Sequence, residues 1–261
     1  MPSRAPVPPS SARRRAPAAP PVQEYGRGRL RRLAGLLGVL VALLTVLAVA
    51  LWVATPGVDD ARARTDAQLR QHGAPSVGTD LPEKVSTALV ATEDARFFSH
   101  SGLDARGAAR GALSLSRGGA LGGATLDAQL AKLLYTYGVP GVRSSTKQVV
   151  LAVKLDGAYT KREILGMYLD AAYYGHGAYG IVSAARTYFG VDPGELSWAQ
   201  ATLVAGLVQA PSAYDPTEHL SLARERQRHV LNRLVATGTF TEAQADAVFA
   251  ADLEPAISFS G

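Results

Sequence analysis

The strongest constraint on this chain is an uncharged apolar run near its beginning. Residues 33–55, LAGLLGVLVALLTVLAVALWVAT, contain no charged side chain. As a helix with a rise of about 1.5 Å per residue, this run spans roughly 34 Å, which exceeds the ~30 Å hydrocarbon core of a bilayer. It is also longer than the roughly 7–15 apolar residues of a secretory leader. The run therefore predicts a single uncleaved transmembrane anchor over residues 33–55.

The charges on either side of the run predict its orientation. Residues 1–32 contain eight arginines and one acid, Glu24, whereas Asp59 and Asp60 follow shortly after the run. Arginine is enriched on the cytoplasmic side of membrane proteins. We therefore expect residues 1–32 to be a disordered basic tail in the cytoplasm, and the chain after the anchor to lie on the other side of the membrane.

The same tail accounts for the positive charge of the whole chain. It carries a net charge of +7, so the remaining residues together carry −2 of the chain's +5. A domain with that charge is not predicted to bind nucleic acid. The chain has no cysteine, so disulfides do not stabilise the outer domain and its apolar core must do so.

The part of the chain after the anchor predicts a mostly α-helical fold. Its apolar residues recur at helical spacing, and no run alternates apolar and polar residues as a strand would. Capping boxes, in which Ser or Thr precedes Glu or Gln by three residues, are predicted at Ser145/Gln148, Thr160/Glu163, Ser197/Gln200 and Thr241/Gln244. Residues 56–79, with several Gly and Pro, predict a partly helical stalk or linker, and residues 80–255 predict one domain. The Gly-rich and Ala-rich residues 116–123 predict a mobile flap.

Chemically reactive side chains are concentrated in one segment, EDARFFSHSGLD at residues 93–104. The apolar residues before it recur at helical spacing, and Asp80 with Glu83 forms a further candidate capping box. Glu93 is therefore expected at the end of a helix, a rigid position from which a carboxylate can face a cleft. A charged, solvated helix end explains the same residues equally well.

Four further segments follow this one along the chain. They are GGATLDAQLAK at 122–132, TKREILGMYLD at 160–170, GAYGIVSAARTYFG at 177–190 and ATLVAGLVQAPSAYDP at 201–216. Together with residues 93–104 they resemble the ordered motif set of family 51 glycosyltransferases, the peptidoglycan glycosyltransferases. The resemblance covers about residues 82–250. Because no transpeptidase domain is expected after residue 250, it predicts a monofunctional member of the family.

The resemblance implies a fold, an activity and a place in the cell. The fold is a lysozyme-like helical domain with a smaller lobe against the bacterial cell membrane, and the activity is polymerisation of lipid II into glycan strands. Implied partners are lipid II, the nascent lipid-linked glycan chain, the membrane, and a transpeptidase or a component of the elongation or division machinery.

The resemblance also implies a catalytic base. Glu93 would remove a proton from the 4-hydroxyl of the acceptor sugar, with Arg96 and His100 orienting the carboxylate or the acceptor. An ion pair with Asp94 or Asp104 explains Arg96 equally well, and His100 also suits a structural hydrogen bond.

A second glutamate is implied at Glu163. It would assist the departing pyrophosphate or help to hold a divalent cation, Mg²⁺ or Mn²⁺, which the family commonly uses. Its position three residues after Thr160 makes it the acid of a capping box as well.

Substrate contacts are implied for a third group of residues. Two lysines and an arginine would bind the pyrophosphate, and a threonine and a glutamine of the second motif would bind the substrate: Lys132, Lys147, Arg143, Thr125 and Gln129. A lysine on the surface of a membrane-proximal helix is the alternative interpretation of Lys132.

The chain departs from the family pattern at five positions. A serine and a glutamine of the second motif, and an Arg-Lys pair and a glutamate of the third, are replaced: Ala124, Ala128, Ser144, Ser145 and Gln148. These replacements remove hydrogen bonds and charges from the pyrophosphate side of the site. They motivate a second hypothesis, a degenerate lipid II-binding or cell-wall scaffold protein without turnover. The lysozyme-like fold motivates a third, a lytic hydrolase.

Overall fold

The computed structural model of the protein describes residues 25–104, 106–107, 125–139 and 141–260. Within these ranges the regular structure is helical. The described residues form two isolated β-bridges and no β-strand. The predicted mostly α-helical fold is therefore confirmed. The chain divides into two compact units, residues 1–50 and residues 51–261. The predicted flap at 116–123 lies outside the described residues.

The first unit contains most of helix α1, Tyr25–Ala54. Within α1, Arg31–Ala54 has a mean hydropathy of 2.8, and it is the one helix of the described residues that is long and apolar enough to cross a membrane. Residues 25–32, predicted to be disordered, form the start of this helix instead. Helix propagation is cheap once a nucleus exists, so the apolar run extends into the arginines before it. Residues 1–24 lie outside the described residues.

The second unit contains the other helices of the described residues. They are α2 (Ala61–Gln71), α3 (Glu83–Glu93), α4 (Leu126–Ala131), α5 (Val142–Ala158), α6 (Lys161–Ala171), α7 (Ile181–Phe189), α8 (Trp198–Leu207), α9 (Leu220–Ala236) and α10 (Glu242–Ala250). A 3₁₀ turn, Phe97–Ser99, follows α3, and a π turn, Lys132–Thr136, continues α4.

The helices of this unit pack in two groups. α8 is buried on every side because its residues are apolar or small, and α3 and α9 pack against it and against each other. In the second group, α4 packs against α5 and α6, and α2 packs against α6. The groups meet at the C-terminal end of α3, where Glu93 contacts α4.

Local sequence signals set several helix starts. The predicted capping boxes are present at Thr160, Ser197 and Thr241. The box predicted at Ser145 is wrong, because α5 already begins after Gly141 and the Ser145 hydroxyl donates to the Gly141 carbonyl. The box predicted at Asp80 is also wrong, because Pro82 occupies the N-cap of α3.

The predicted stalk, residues 56–79, is part of the folded domain. α2 buries one face, on which the side chains recur at four-residue spacing: Ala61, Thr65 and Leu69. After α2 the chain turns back, and the Asp170 carboxylate on α6 accepts hydrogen bonds from Ser76 Oγ at 2.6 Å and from the Val77 amide at 2.8 Å. Gly73, Pro75 and Gly78, which helped to suggest a linker, therefore belong to this turn, and the boundary predicted at residue 80 is too late.

The C-terminal boundary predicted at residue 255 is too early. The Ala256 amide donates to the Tyr188 carbonyl at 2.8 Å, and the Leu220 amide donates to the Ser260 carbonyl at 2.8 Å. The chain after α10 therefore packs back onto the domain.

Candidate active site

A cleft opens where the C-terminal end of α3 meets α4 and α6. One cavity in it, which we call the Glu93 cavity, has a volume of about 530 Å³ and is lined by Glu93, Gln129 and Tyr168 among others. A second, the Ser144 cavity, also has a volume of about 530 Å³ and lies at the start of α5. Lys132 and Gln148 line both cavities, so the two are adjacent. Each has the size of a ligand-binding pocket.

Glu93 is the last residue of α3, and two donors hold its carboxylate. Oε1 accepts a hydrogen bond from Arg226 Nη2 at 2.9 Å, and Oε2 accepts one from Gln129 Nε2 at 3.1 Å. The Glu93 side chain is 14% exposed, and that of Arg226 is 10% exposed. Each carboxylate oxygen has a second lone pair, so a hydroxyl in the cavity can still donate to Glu93.

A buried tyrosine sets the orientation of Gln129. Tyr168 Oη donates to Gln129 Oε1 at 2.9 Å. Burial, followed by the charge of Glu93, raises the pKa of Tyr168 well above its usual range, so the phenol stays protonated and acts as a donor. The amide oxygen of Gln129 therefore faces Tyr168, and its NH₂ group faces Glu93.

The sequence-based prediction does not include Arg226, which the fold brings to Glu93 from α9. Its Nε also donates to the Gly206 carbonyl at 3.4 Å, and a Cβ at Gly206 would lie 3.0 Å from Arg226 Cγ. The sequence did contain a signal that Arg226 lies on the buried face of α9. It is three residues after Ala223 and four before Val230, and both of these are buried. An arginine on a buried face needs an acidic partner, but the spacing does not say which one.

Polar side chains tie the loop after α3 to the start of α4. The Asp94 carboxylate accepts hydrogen bonds from His100 Nε2 at 2.9 Å and from the Leu126 amide at 3.0 Å. Thr125 is the N-cap of α4, and its hydroxyl donates to the Gly102 carbonyl at 2.8 Å. These bonds hold α4 in place against the end of α3.

Three of the predicted site residues therefore have structural contacts. Arg96 pairs with Asp104, at 3.1 Å from Nε to Oδ2, and His100 binds Asp94. Neither residue is among the described residues that line the cleft, nor is Thr125, whose substrate contact stays a prediction. The structural interpretations of Arg96 and His100 are the ones that the geometry supports.

One of the three predicted pyrophosphate-binding cations lines the cleft. Lys132, in the π turn, is exposed and lines both cavities. Arg143 and Lys147 lie on α5 and are exposed and half-buried, respectively, but neither is among the residues that line the two cavities. The structure thus brings one predicted cation, Lys132, into the cleft with Glu93 and Gln129.

Comparison with known proteins gives the family. Residues 63–235 match the family model described as Transglycosylase, which is well over half of the chain. The chain belongs to the transglycosylase family. The predicted family is thereby confirmed, and this match too begins within the predicted stalk.

Relatives of this transglycosylase-family chain include longer proteins. It is 36% identical over 176 residues to a transglycosylase-family protein of Cupriavidus necator, covering 67% of this chain and 75% of the relative. It is 38% identical to penicillin-binding protein 1A of Aquifex aeolicus, covering 63% of this chain but 23% of that protein. A crystal structure of penicillin-binding protein 1A from Haemophilus influenzae matches at 21% identity with a TM-score of 0.42, covering 72% of this chain and 18% of that one. The chain thus spans about a quarter or less of the penicillin-binding proteins that it matches.

Glu163 does not lie in the cleft of this transglycosylase-family domain. It lines a separate cavity of about 250 Å³ on the α2 side of α6, its side chain is 44% exposed, and Arg62 Nη2 approaches its Oε1 at 3.0 Å. Its Oε2 accepts from the Thr160 amide at 2.9 Å, which completes the capping box. These hydrogen bonds from Thr160, and then Arg62, lower the pKa of Glu163. Glu163 thus caps its own helix outside the Glu93 cavity, and its role in the reaction stays a prediction.

Four of the five departures from the family pattern line the cleft. Ala128 lines the Glu93 cavity, and Ser144, Ser145 and Gln148 line the Ser144 cavity, while Ala124 lies outside the described residues. Gln148 Nε2 donates to Thr136 Oγ1 at 2.8 Å and lies 3.5 Å from Ser144 Oγ. A neutral hydrogen-bonded group therefore occupies the wall where the resemblance leads one to expect charges.

The cleft does not fit the predicted divalent cation. Among the described residues that line its two cavities, Glu93 is the one carboxylate, and it is already paired with Arg226. Protein sites for Mg²⁺ supply one or two carboxylates beside the phosphate oxygens. Glu163, the predicted metal ligand, lies in a different cavity.

Proposed function

We propose that this protein is a peptidoglycan glycosyltransferase that polymerises lipid II into glycan strands. The observation that carries the proposal is the Glu93 carboxylate, held by Arg226 and Gln129 at the wall of a cleft of ligand size, in a domain of the transglycosylase family. A rigid, partly enclosed carboxylate suits the removal of a proton from a sugar hydroxyl.

In the proposed reaction, the 4-hydroxyl oxygen of one lipid-linked disaccharide forms a bond to the anomeric carbon of another. The bond from that carbon to the pyrophosphate oxygen breaks, and undecaprenyl pyrophosphate leaves with the bonding electron pair. The hydroxyl proton passes to Glu93, whose two donors keep its oxygens in position. Lys132 provides a positive charge beside the departing pyrophosphate.

We further propose that α1 anchors the enzyme, since Arg31–Ala54 is long and apolar enough to span a bilayer. The eight arginines and single acid of residues 1–32 support a cytoplasmic tail by the positive-inside rule. The helices after α1 would then act on lipid II at the outer face of the bacterial cell membrane.

The proposal is tested by incubating the purified full-length protein with lipid II in detergent and separating the products by gel electrophoresis. A ladder of lipid-linked glycan strands is the expected result. Bound but unconverted lipid II would support the scaffold hypothesis instead. Release of muropeptides from purified cell wall, without need of a lipid pyrophosphate donor, would support the hydrolase.

Replacing Tyr168 with Phe is expected to lower kcat about tenfold with a smaller change in KM. Without the phenol donor, the Gln129 amide is free to turn its oxygen toward Glu93, and the carboxylate loses one of its two donors. Polymerisation kinetics measure the effect. Tyr174→Phe is the matched control, since this buried tyrosine donates to the Leu169 carbonyl rather than to the site. Equal kcat values in the two variants would contradict this role of Tyr168.

Replacing Glu163 with Gln is expected to leave the polymerisation rate within about twofold of the wild type. Glutamine preserves the capping box, and the lost ion pair with Arg62 is exposed and contributes little. The same polymerisation assay measures it. A loss of tenfold or more would restore Glu163 to the catalytic residues.

A further inference from the structure

The Ser144 cavity contains one positive charge and no negative one among its described lining residues. Lys132 is its cation, and the other lining side chains are hydroxyls, an amide and small apolar groups. Within the described part of the chain, Lys132 forms no ion pair, and it is exposed. Its ammonium group is therefore available to an anion.

The segment that precedes α4 contains no carboxylate that could reach this cavity. Residues 105–124 contain no Asp and no Glu. Glu93, in the neighbouring cavity, is bound to Arg226. The requirement for carboxylate ligands is thus unmet by composition as well as by geometry.

One carboxylate of a cluster behind α4 is already paired with a lysine. Asp94, His100 and Asp127 have ligand atoms within 4.8 Å of one another, but Lys161 Nζ lies 3.0 Å from both carboxylate oxygens of Asp127. Asp127 is fully buried, and it does not line the cleft. A divalent ion would have to displace Lys161 to bind there.

The start of α5 supplies a second favourable feature for an anion. Gly141 is the N-cap of α5, and with no side chain it makes no capping bond to the amides of the first turn. Gly141, Ser144 and Ser145 line the cavity, so the positive end of the helix faces it. The amides of Ser144 and Ser145 both donate to the Gly141 carbonyl at 3.1 Å, so the helix contributes its dipole here. Lys132 and this helix start lie on the same cavity, and together they offer a charge and the positive end of a helix to phosphate oxygens.

We propose that this protein binds the leaving pyrophosphate in the Ser144 cavity without a divalent ion, with Lys132 as the cation and Gln148 as the residue that makes the site metal-independent. The inference rests on the proposed function. The neutral group Thr136–Gln148–Ser144 keeps the wall free of a negative charge that would repel pyrophosphate, and so removes the need for a bridging metal.

The test measures the affinity of the full-length protein in detergent for inorganic pyrophosphate. Binding is detected by ³¹P NMR, once in EDTA and once in Mg²⁺. We expect the wild type to bind in EDTA, and Lys132→Met to weaken binding about tenfold or more in both conditions. Gln148→Glu adds a carboxylate to the wall, so its binding should weaken in EDTA and recover in Mg²⁺. Because Mg²⁺ also binds pyrophosphate in solution, the quantity compared is the ratio of the affinity in Mg²⁺ to that in EDTA. That ratio should be about tenfold higher in Gln148→Glu than in the wild type.

Arg70→Gln is the matched control, since it removes an exposed positive charge from α2, away from the cleft, and should bind as the wild type does. Loss of wild-type binding in EDTA, or unchanged binding in Lys132→Met, would overturn the inference. These results are independent of turnover. Metal-independent binding by a protein that makes no polymer contradicts the proposed function alone, and metal-dependent binding by an active enzyme contradicts this inference alone.

Discussion

Glu93→Gln is expected to lower the rate of the proposed lipid II polymerisation by about 10²–10⁴, the range that a general base contributes. The substituted amide has the shape of the carboxylate but accepts no proton at neutral pH, so the acceptor hydroxyl must lose its proton to water. The amide oxygen of the variant can still accept from Arg226, while its NH₂ group gives up the hydrogen bond from Gln129. Polymerisation by the purified variant, at saturating lipid II, measures the loss.

The control for this change is Glu83→Gln, which removes the same charge from the first turn of the same helix. Glu83 is exposed and does not line the cleft, so this variant should polymerise at the wild-type rate. Unfolding curves of both variants show whether each is folded. A folded Glu93→Gln variant that retains more than a tenth of the wild-type rate would exclude Glu93 as the base.

Arg226→Met is expected to lower the free energy of unfolding by about 3 kcal/mol, the low end of the cost of breaking a buried ion pair. The Glu93 carboxylate, 14% exposed, loses its charged partner in this variant, and methionine cannot supply a donor. The double variant Glu93→Gln/Arg226→Met removes the stranded charge as well. It should therefore be more stable than Arg226→Met alone. Urea unfolding of the detergent-solubilised proteins measures both values.

An exposed pair provides the comparison for Arg226. Arg186 and Asp192 approach at 2.8 Å, but their side chains are 56% and 60% exposed. Arg186→Met should therefore cost less than about 1 kcal/mol. If Arg186→Met and Arg226→Met destabilise the domain equally, or if the double variant is no more stable than Arg226→Met, burial does not distinguish the Glu93–Arg226 pair.

Short-range patterns account for the parts of the fold that were predicted well. The apolar run of residues 33–55 predicted α1, and the boxes at Thr160, Ser197 and Thr241 mark the starts of three helices. In each case the residues that interact lie within about one helical turn of each other. Their spacing along the chain is therefore enough to predict that they meet. The box predicted at Ser145 shows the limit of this argument, since the left-handed backbone of Gly141 begins α5 before Ser145.

The candidate site was predictable only in part. Glu93 was found because the motif marks it, and Gln129 and Lys132 because a second motif does. The position of Glu163 outside the Glu93 cavity was not predictable, since a motif match does not show whether a carboxylate faces a cleft or caps its own helix. The stalk was misassigned because glycine and proline mark turns inside a domain as well as linkers between domains.

Pairing across the domain depends on how the helices pack. Arg226 lies 133 residues after Glu93 and reaches it only because α3 and α9 both pack on α8, where Gly206 leaves room for the arginine. The orientation of Gln129 depends in the same way on Tyr168, 39 residues away on α6. The sequence alone thus predicted the helices, the apolar run of α1 and the place of Glu93 at a helix end, because those are properties of neighbouring residues. Side-chain volume and burial in the packed core decide which donors hold the Glu93 carboxylate. They also decide which predicted residues share its cleft. No local spacing along the chain encodes this packing.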